Sequence, residues 1–107
     1  RNGQAVALMF LDLDHFKNLN DTHGHAMGDR LLIEMAQRLR TCVREGDTVA
    51  RLGGDEFVLL VQQLDEDLET AVAQAGRIGD KVVAQLSQPC AIGAVQYQGS
   101  ASVGVSM

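Results

Sequence analysis

The chain contains no apolar stretch approaching the ~20 residues that a bilayer-crossing helix needs, and its first residues lack a basic segment followed by an apolar run and a cleavage site. Neither a membrane span nor an export signal is written into it. It has only 2 cysteines, Cys42 and Cys90, far apart, with no CxxC and no histidine at ligand spacing. That excludes a zinc site and a disulfide framework and leaves two buried thiols in a reducing compartment as the expectation. Basic residues are also scarce. Lys and Arg number 9 against 14 Asp and Glu, for a net charge of -5. Nucleic-acid binding needs clustered cations to replace phosphate counterions, so that partner class is excluded as well. If phosphates bind here, metal ions must carry much of the positive charge. There is no internal repeat and no low-complexity tract.

What is present suits a packed domain: 46% apolar and 21% charged residues over 107 positions. That length allows one core and no second. The chain begins at Arg1 and ends on Met107 directly after an apolar run, so it is expected to be a piece of something longer. A cytoplasmic domain without membrane contact is expected, with membrane anchoring of a longer parent left open.

The run Ala5 to Leu11 is continuously apolar, as in a central strand covered on both faces, and it ends in Asp12. Asp14 then caps a short helix reaching Leu19, and Asn20 to His25 reads as a loop. From Gly28 to Arg44, the positions Leu32, Met35, Ala36, Leu39 and Val43 fall on one helical face. Arg30, Glu34 and Arg38 lie outside as solvated pairs. Two β-prone runs, Thr48 to Leu52 and Phe57 to Val61, are joined through Gly53-Gly54-Asp55-Glu56, a strong hairpin signal expected at the sheet centre. Asp65 to Ser87 predicts a second long helix facing inward through Leu68, Val72, Ala75, Gly79, Val82 and Leu86, with Pro89 just beyond it. Short β-prone pieces follow at Val95 to Tyr97 and Ser100 to Ser106. The fold class is α/β in the α+β sense: a layer sandwich of helices on a mixed central β-sheet.

A carboxylate at the end of a buried strand is costly unless paired, and no basic residue lies within seven positions of Asp12 on the early side or through Phe16 on the late side. The hairpin turn adds Asp55 and Glu56 just after two glycines that let a ligand approach the backbone. Because strand residues alternate, only one of that pair is expected to share a site with Asp12. Oxygen donors converging from a strand end and a hairpin suit magnesium holding substrate phosphates, and hence phosphoryl or nucleotidyl transfer. On spacing alone, a helix cap at Asp12 and ordinary turn acids explain the same letters equally well.

The motifs go further. Arg51-Leu52-Gly53-Gly54-Asp55-Glu56-Phe57 resembles the signature of the GGDEF family. Upstream, Asp12-Leu13-Asp14-His15-Phe16-Lys17-Asn18-Leu19-Asn20-Asp21 is similar to that family's DxDxFKxxND segment, Gly24 to Asp29 resembles its GHxxGD, and Ser102 to Ser106 its SxGxx strand. The resemblance runs nearly end to end. It implies a nucleotide-cyclase or polymerase-palm-like fold with the active site at a strand end and hairpin turn. It also implies a diguanylate cyclase, condensing two GTP into cyclic di-GMP. Carried over, the family pattern assigns two magnesium ions, with manganese as a substitute, to Asp12, the Leu13 carbonyl and Asp55. Asp55 or Glu56 is the base. Asn20 and Asp29 would hold guanine, with His25 and Phe16 in the same pocket, Lys17 near the phosphates, and Gly53 and Gly54 lining the turn. One GTP per domain implies a homodimer.

Arg44-Glu45-Gly46-Asp47 resembles the family's RxxD inhibitory site, five residues before the Gly-Gly turn, and implies product inhibition by cyclic di-GMP. A basic helix end followed by a Gly-Asp turn accounts for the same letters. Met9, Met27 and Met35 read as core filler, His15 and His23 as surface or capping residues, and Arg51 as a brace for the hairpin. The family's DxLTGLxNR-like stretch and its final basic helix are missing, so residues 1–107 are expected to be one GGDEF domain truncated at both ends. The alternative to an active cyclase is a non-catalytic GTP or cyclic di-GMP module beside another domain, such as an EAL phosphodiesterase.

Overall fold

The computed structural model describes residues 5–14, 16–93, 95–97 and 101–107. The expectations for His15 and Ser100 lie outside those residues. The elements run β1 (Ala5–Leu13), α1 (Phe16–His23), α2 (His25–Cys42), β2 (Thr48–Gly53), β3 (Glu56–Leu64), α3 (Leu68–Leu86), β4 (Cys90–Ile92), β5 (Val95–Tyr97) and β6 (Ala101–Ser106). Four strands form one sheet in the order β2-β3-β1-β6, while β4 and β5 make a separate two-stranded hairpin.

The α+β class holds, but every neighbouring pair in the described sheet is antiparallel, in place of the expected mixed sheet. The topology explains this. The β1-α1-α2-β2 crossover returns a strand parallel to β1, and β3 then folds back between the two, so the parallel strands never touch. The hairpin is therefore not wholly central: β3 is interior, and β2 is an edge strand that stays mostly exposed.

The unbroken apolar run of β1 does not mean coverage on both faces. Ala7, Met9, Leu11 and Leu13 are buried, whereas Val6, Leu8 and Phe10 are 42%, 36% and 46% exposed. The helices cover the buried face: Leu31, Leu32, Met35 and Leu39 of α2 and Ala71, Ala75, Val82 and Leu86 of α3 join Leu59 and Val61 in one core. Met9 and Met35 are fully buried there, as core filler should be. On α3 the buried stripe is set by Ala71 and Ala75, while Leu68 and Val72 are exposed. The helix begins later than predicted because Asp67 caps it, its carboxylate accepting from the Thr70 N–H at 3.0 Å.

The predicted loop at Asn20 is instead helix. Helix α1 continues to His23, and only Gly24, at φ +90°, separates it from α2. The Gly24 N–H donates to the Asn20 carbonyl at 2.8 Å, so the break costs α1 no hydrogen bond at its end. Arg38 is not part of a solvated face. Its guanidinium donates to the carbonyls of Gln85 (3.0 Å), Gln88 (2.9 Å) and Pro89 (3.1 Å) and pairs with Glu34 at 3.2 Å, tying α2 to the end of α3. Both cysteines are buried and free, and burial pushes both thiols above their ordinary pKa. No helix among the described residues is long and apolar enough to cross a membrane.

Candidate active site

The register of the sheet builds the acidic cluster. Asp12, next to last in β1, faces Glu56 of β3 on one side and Ser102 of β6 on the other. The Leu13 N–H donates to the Asp55 carbonyl at 3.1 Å, fastening the end of β1 to the β2–β3 turn. That turn is made by Gly54 and Asp55, with Gly53 at φ +152° and Gly54 at φ +53°, conformations that L side chains rarely adopt. Arg51 braces it, as predicted, by donating Nε to the Gly54 carbonyl at 3.0 Å.

Strand alternation predicts that only one of Asp55 and Glu56 meets Asp12. Asp55 lies in the turn, however, where alternation does not operate, and its charge bears on Asp12 from there, while Glu56 stands opposite Asp12 on β3. Partial desolvation, then the Asp55, Glu56 and Asp14 carboxylates, raise the pKa of Asp12 above the usual carboxylate value. A cavity of about 310 Å³ opens beside the cluster, with Asp12, Glu56, Leu52, Phe10 and Ser102 among its lining residues and no basic residue.

The donors suit magnesium in kind. Among the described residues, no three His, Cys, Asp or Glu side chains form a ready-made metal cage. Magnesium does not require one, since it keeps several waters and is held by one or two carboxylates plus substrate phosphates.

The remaining predicted residues are spread over α1 and α2. Phe16 is buried at the start of α1, and Lys17 is exposed beside it. His25 and Asp29 are exposed in the first turns of α2; Asp29 lines a cavity of about 430 Å³ with Leu32, Ile33, Val49 and Arg51. Asn20 sits at the α1–α2 contact, and its Oδ1 is buried with no hydrogen-bond partner. A Cβ on Gly28 would lie 1.8 Å from that oxygen and 3.3 Å from the Phe16 ring, so any other residue there would displace the Asn20 side chain. Gly28 thus belongs with Asn20, although no site role follows from the sequence beyond its place in the Gly24 to Asp29 motif.

At the far end of the hairpin, Asp47 is the one charged side chain buried among the described residues. Its Oδ2 accepts from the Arg44 N–H and its Oδ1 from the Gln62 N–H, each at 2.9 Å. Arg44 Nε approaches the same carboxylate at 3.6 Å, and its other end donates to the Gln62 carbonyl. Both Asp47 oxygens thus accept backbone N–H bonds within the protein. Arg44 lines a cavity of about 340 Å³ with Gln74, Ile78, Arg77 and Lys81. The last two are one helical turn apart on α3, a pairing legible in the sequence as basic residues at i,i+4 spacing.

The family model for the diguanylate cyclase GGDEF domain matches residues 1–107, all of the chain. The chain belongs to the GGDEF family. The Pseudomonas aeruginosa protein MucR, named a bifunctional diguanylate cyclase and cyclic di-GMP phosphodiesterase, is 45% identical over 107 residues, covering 100% of this chain and 15% of MucR. NbdA of the same organism, named a cyclic di-GMP phosphodiesterase, is 40% identical over 98% of this chain and 13% of its own length. The crystal structure of the GGDEF domain of TpbB (YfiN) from Pseudomonas aeruginosa superposes with a TM-score of 0.85 at 40% identity, over 95% of this chain and 60% of that one. This GGDEF domain thus spans well under a quarter of the length of these curated relatives.

Proposed function

We propose that this GGDEF domain is the catalytic half-site of a diguanylate cyclase, a nucleotidyltransferase. It would hold one GTP, whose 3′-hydroxyl attacks the α-phosphorus of a GTP on a second copy. Two such attacks close cyclic di-GMP and release two pyrophosphates. The observation that carries the reading is the meeting of Asp12 and Glu56 at a cavity whose described lining contains no basic residue, with the Asp55 carboxylate close enough in the adjoining turn to raise the Asp12 pKa. Like charges gathered without a cation favour binding one.

The Asp12 and Asp55 carboxylates and the Leu13 carbonyl would hold two magnesium ions, with manganese as a substitute. When bound, the metal supplies charge neutralisation on the phosphates and a lower pKa for the attacking hydroxyl. Asp55 or Glu56 takes the hydroxyl proton. Asn20 Oδ1, buried without a donor, would accept from the guanine N–H edge, and Asp29 would accept beside it. His25 lines that pocket, Phe16 packs beneath it, Lys17 meets the phosphates, and Gly53 and Gly54 let the backbone come close. One nucleotide per domain requires a homodimer during turnover.

Product inhibition by cyclic di-GMP is assigned to the other end of the hairpin. Arg44, Arg77 and Lys81 bring three positive charges to one cavity, suited to the product's phosphates, while Asp47 fixes the Arg44 backbone. The second reading, a non-catalytic GTP or cyclic di-GMP module regulating a neighbouring phosphodiesterase domain, is favoured by the likeness to NbdA. The intact acidic turn favours the enzyme.

Chromatography of the full-length protein incubated with GTP and magnesium decides between them. The expected result is cyclic di-GMP, lost by at least a hundredfold in Asp55→Ala with the circular dichroism spectrum preserved. GTP binding without product at any protein concentration would establish the regulatory module instead.

A further inference from the structure

The end of β1, which carries Asp12 and Leu13, and the turn at Asp14 that follows it are fastened from two sides. On one side the Leu13 N–H reaches the Asp55 carbonyl at 3.1 Å. On the other, the buried Tyr97 donates its hydroxyl to the Asp14 carbonyl at 2.8 Å, across 83 positions of sequence. Ser102 Oγ of β6 adds a longer contact of 3.4 Å to Asp14 Oδ1.

The hairpin that delivers Tyr97 has its own anchors. Cys90, Ile92 and Tyr97 are buried in the core, and Arg38 binds the carbonyls of Gln85, Gln88 and Pro89 immediately before β4. Repulsion of Asp12 by the Asp55, Glu56 and Asp14 carboxylates opposes the approach of the β1 end to the β2–β3 turn. Holding the two together calls for a neutral donor on a rigid support, aimed at a backbone carbonyl so that no carboxylate is taken from the metal. Tyr97 meets each condition. Burial, and after it the Asp14 carboxylate, raise its pKa, so the hydroxyl keeps its proton at neutral pH.

We infer that Tyr97 is a positioning residue for the metal-holding turn, fixing the Asp14 carbonyl and through it the Asp12 carboxylate and the Leu13 carbonyl. The β4–β5 hairpin is then a brace for the site and not a peripheral decoration. The inference rests on the magnesium reading proposed above. Preorganised ligands lose affinity when their supporting hydrogen bonds are removed, and one such bond corresponds to roughly a three- to tenfold change.

The test is Mn²⁺ binding to the full-length protein, followed by electron paramagnetic resonance without nucleotide. Tyr97→Phe keeps the buried ring and deletes only the donor. It should weaken Mn²⁺ binding by about three- to tenfold, with the circular dichroism spectrum and metal-free melting temperature close to native. Ser102→Ala, at an exposed position, should weaken it by about twofold. Native-like affinity in Tyr97→Phe overturns the inference while leaving the metal site standing. If Tyr97→Phe loses its native spectrum, Ser102→Ala decides, and unchanged affinity there overturns the inference. Absence of Mn²⁺ binding to the native chain overturns the magnesium reading itself, and this inference with it.

Discussion

The two ends of the β2–β3 hairpin carry acids in opposite circumstances. At the turn, Asp12, Asp55 and Glu56 crowd together, and the burden falls on Asp12, whose pKa is raised. At the open end Asp47 is buried, its side chain only 2% exposed, yet both of its oxygens accept backbone N–H bonds. Six residues along β3, from Glu56 to Gln62, separate the two places by roughly 20 Å, at about 3.3 Å per residue. One end is satisfied by the protein and supports the fold. At the other the charges of Asp12 and Glu56 are left exposed, with no basic residue lining the cavity they share, and have use for a ligand. An acidic residue is informative about function when the chain has not already answered its charge.

Removing an acid from the satisfied end should therefore unfold, and removing one from the other should not. Asp47→Ala strands the partly buried N–H groups of Arg44 and Gln62, and we expect a loss of about 2–4 kcal/mol in unfolding free energy by urea denaturation. A loss within ~0.5 kcal/mol would mean that water replaces the carboxylate and that the contrast is not one of satisfaction.

Asn20 extends the comparison, since its Oδ1 is buried and unanswered like a functional group, not saturated like Asp47. Gly28→Ala places a methyl 1.8 Å from that oxygen unless Asn20 moves. The expected outcome is GTP binding about tenfold weaker by calorimetry, near 1.4 kcal/mol, with ATP binding unaffected. Equal loss for both nucleotides would assign Gly28 to packing alone. A smaller effect is expected at the basic cavity. Arg44→Ala should raise the cyclic di-GMP concentration for half inhibition by several-fold, because Arg77 and Lys81 remain. An unchanged value would remove that cavity as the inhibitory site.

The acidic site is legible in the sequence because its chemistry is carried by side chains that the motifs name in order: Asp12, Asp55, Glu56, Asn20, Asp29. Positions that act through contacts with distant sequence are harder to see. Tyr97 reads as one more β-prone aromatic until the fold brings it to Asp14, and Arg38 reads as a solvated cation until the end of α3 arrives beside it. The sheet misleads for a different reason. An unbroken apolar run such as Val6 to Leu11 reports hydrophobic side chains on both faces of a strand, and says nothing of what covers them; here Leu8 and Phe10 face outward. The helix break at Gly24 is obscured by Asn20 and Asp21, polar residues that suit a loop and yet sit within a helix whose buried contacts are Phe16 and Leu19.

The mildest prediction bears on the unsatisfied end itself. A carboxyl whose pKa is raised on folding binds its proton more tightly in the native state, so native stability falls as pH rises through that folded pKa and is regained on acidification. For Asp12 the penalty is absent well below its ordinary value of 3.8 and complete at neutral pH. Asp12→Asn should therefore raise the metal-free melting temperature by a small amount at pH 7 and leave it unchanged near pH 3, in paired calorimetric scans. Added magnesium should raise the melting temperature of the native chain at pH 7 but not that of Asp12→Asn, since binding to the folded state alone stabilises it and the variant has lost a ligand. A lower melting temperature for Asp12→Asn at pH 7 would show that Asp12 is satisfied after all, and the difference between the two ends of the hairpin would close.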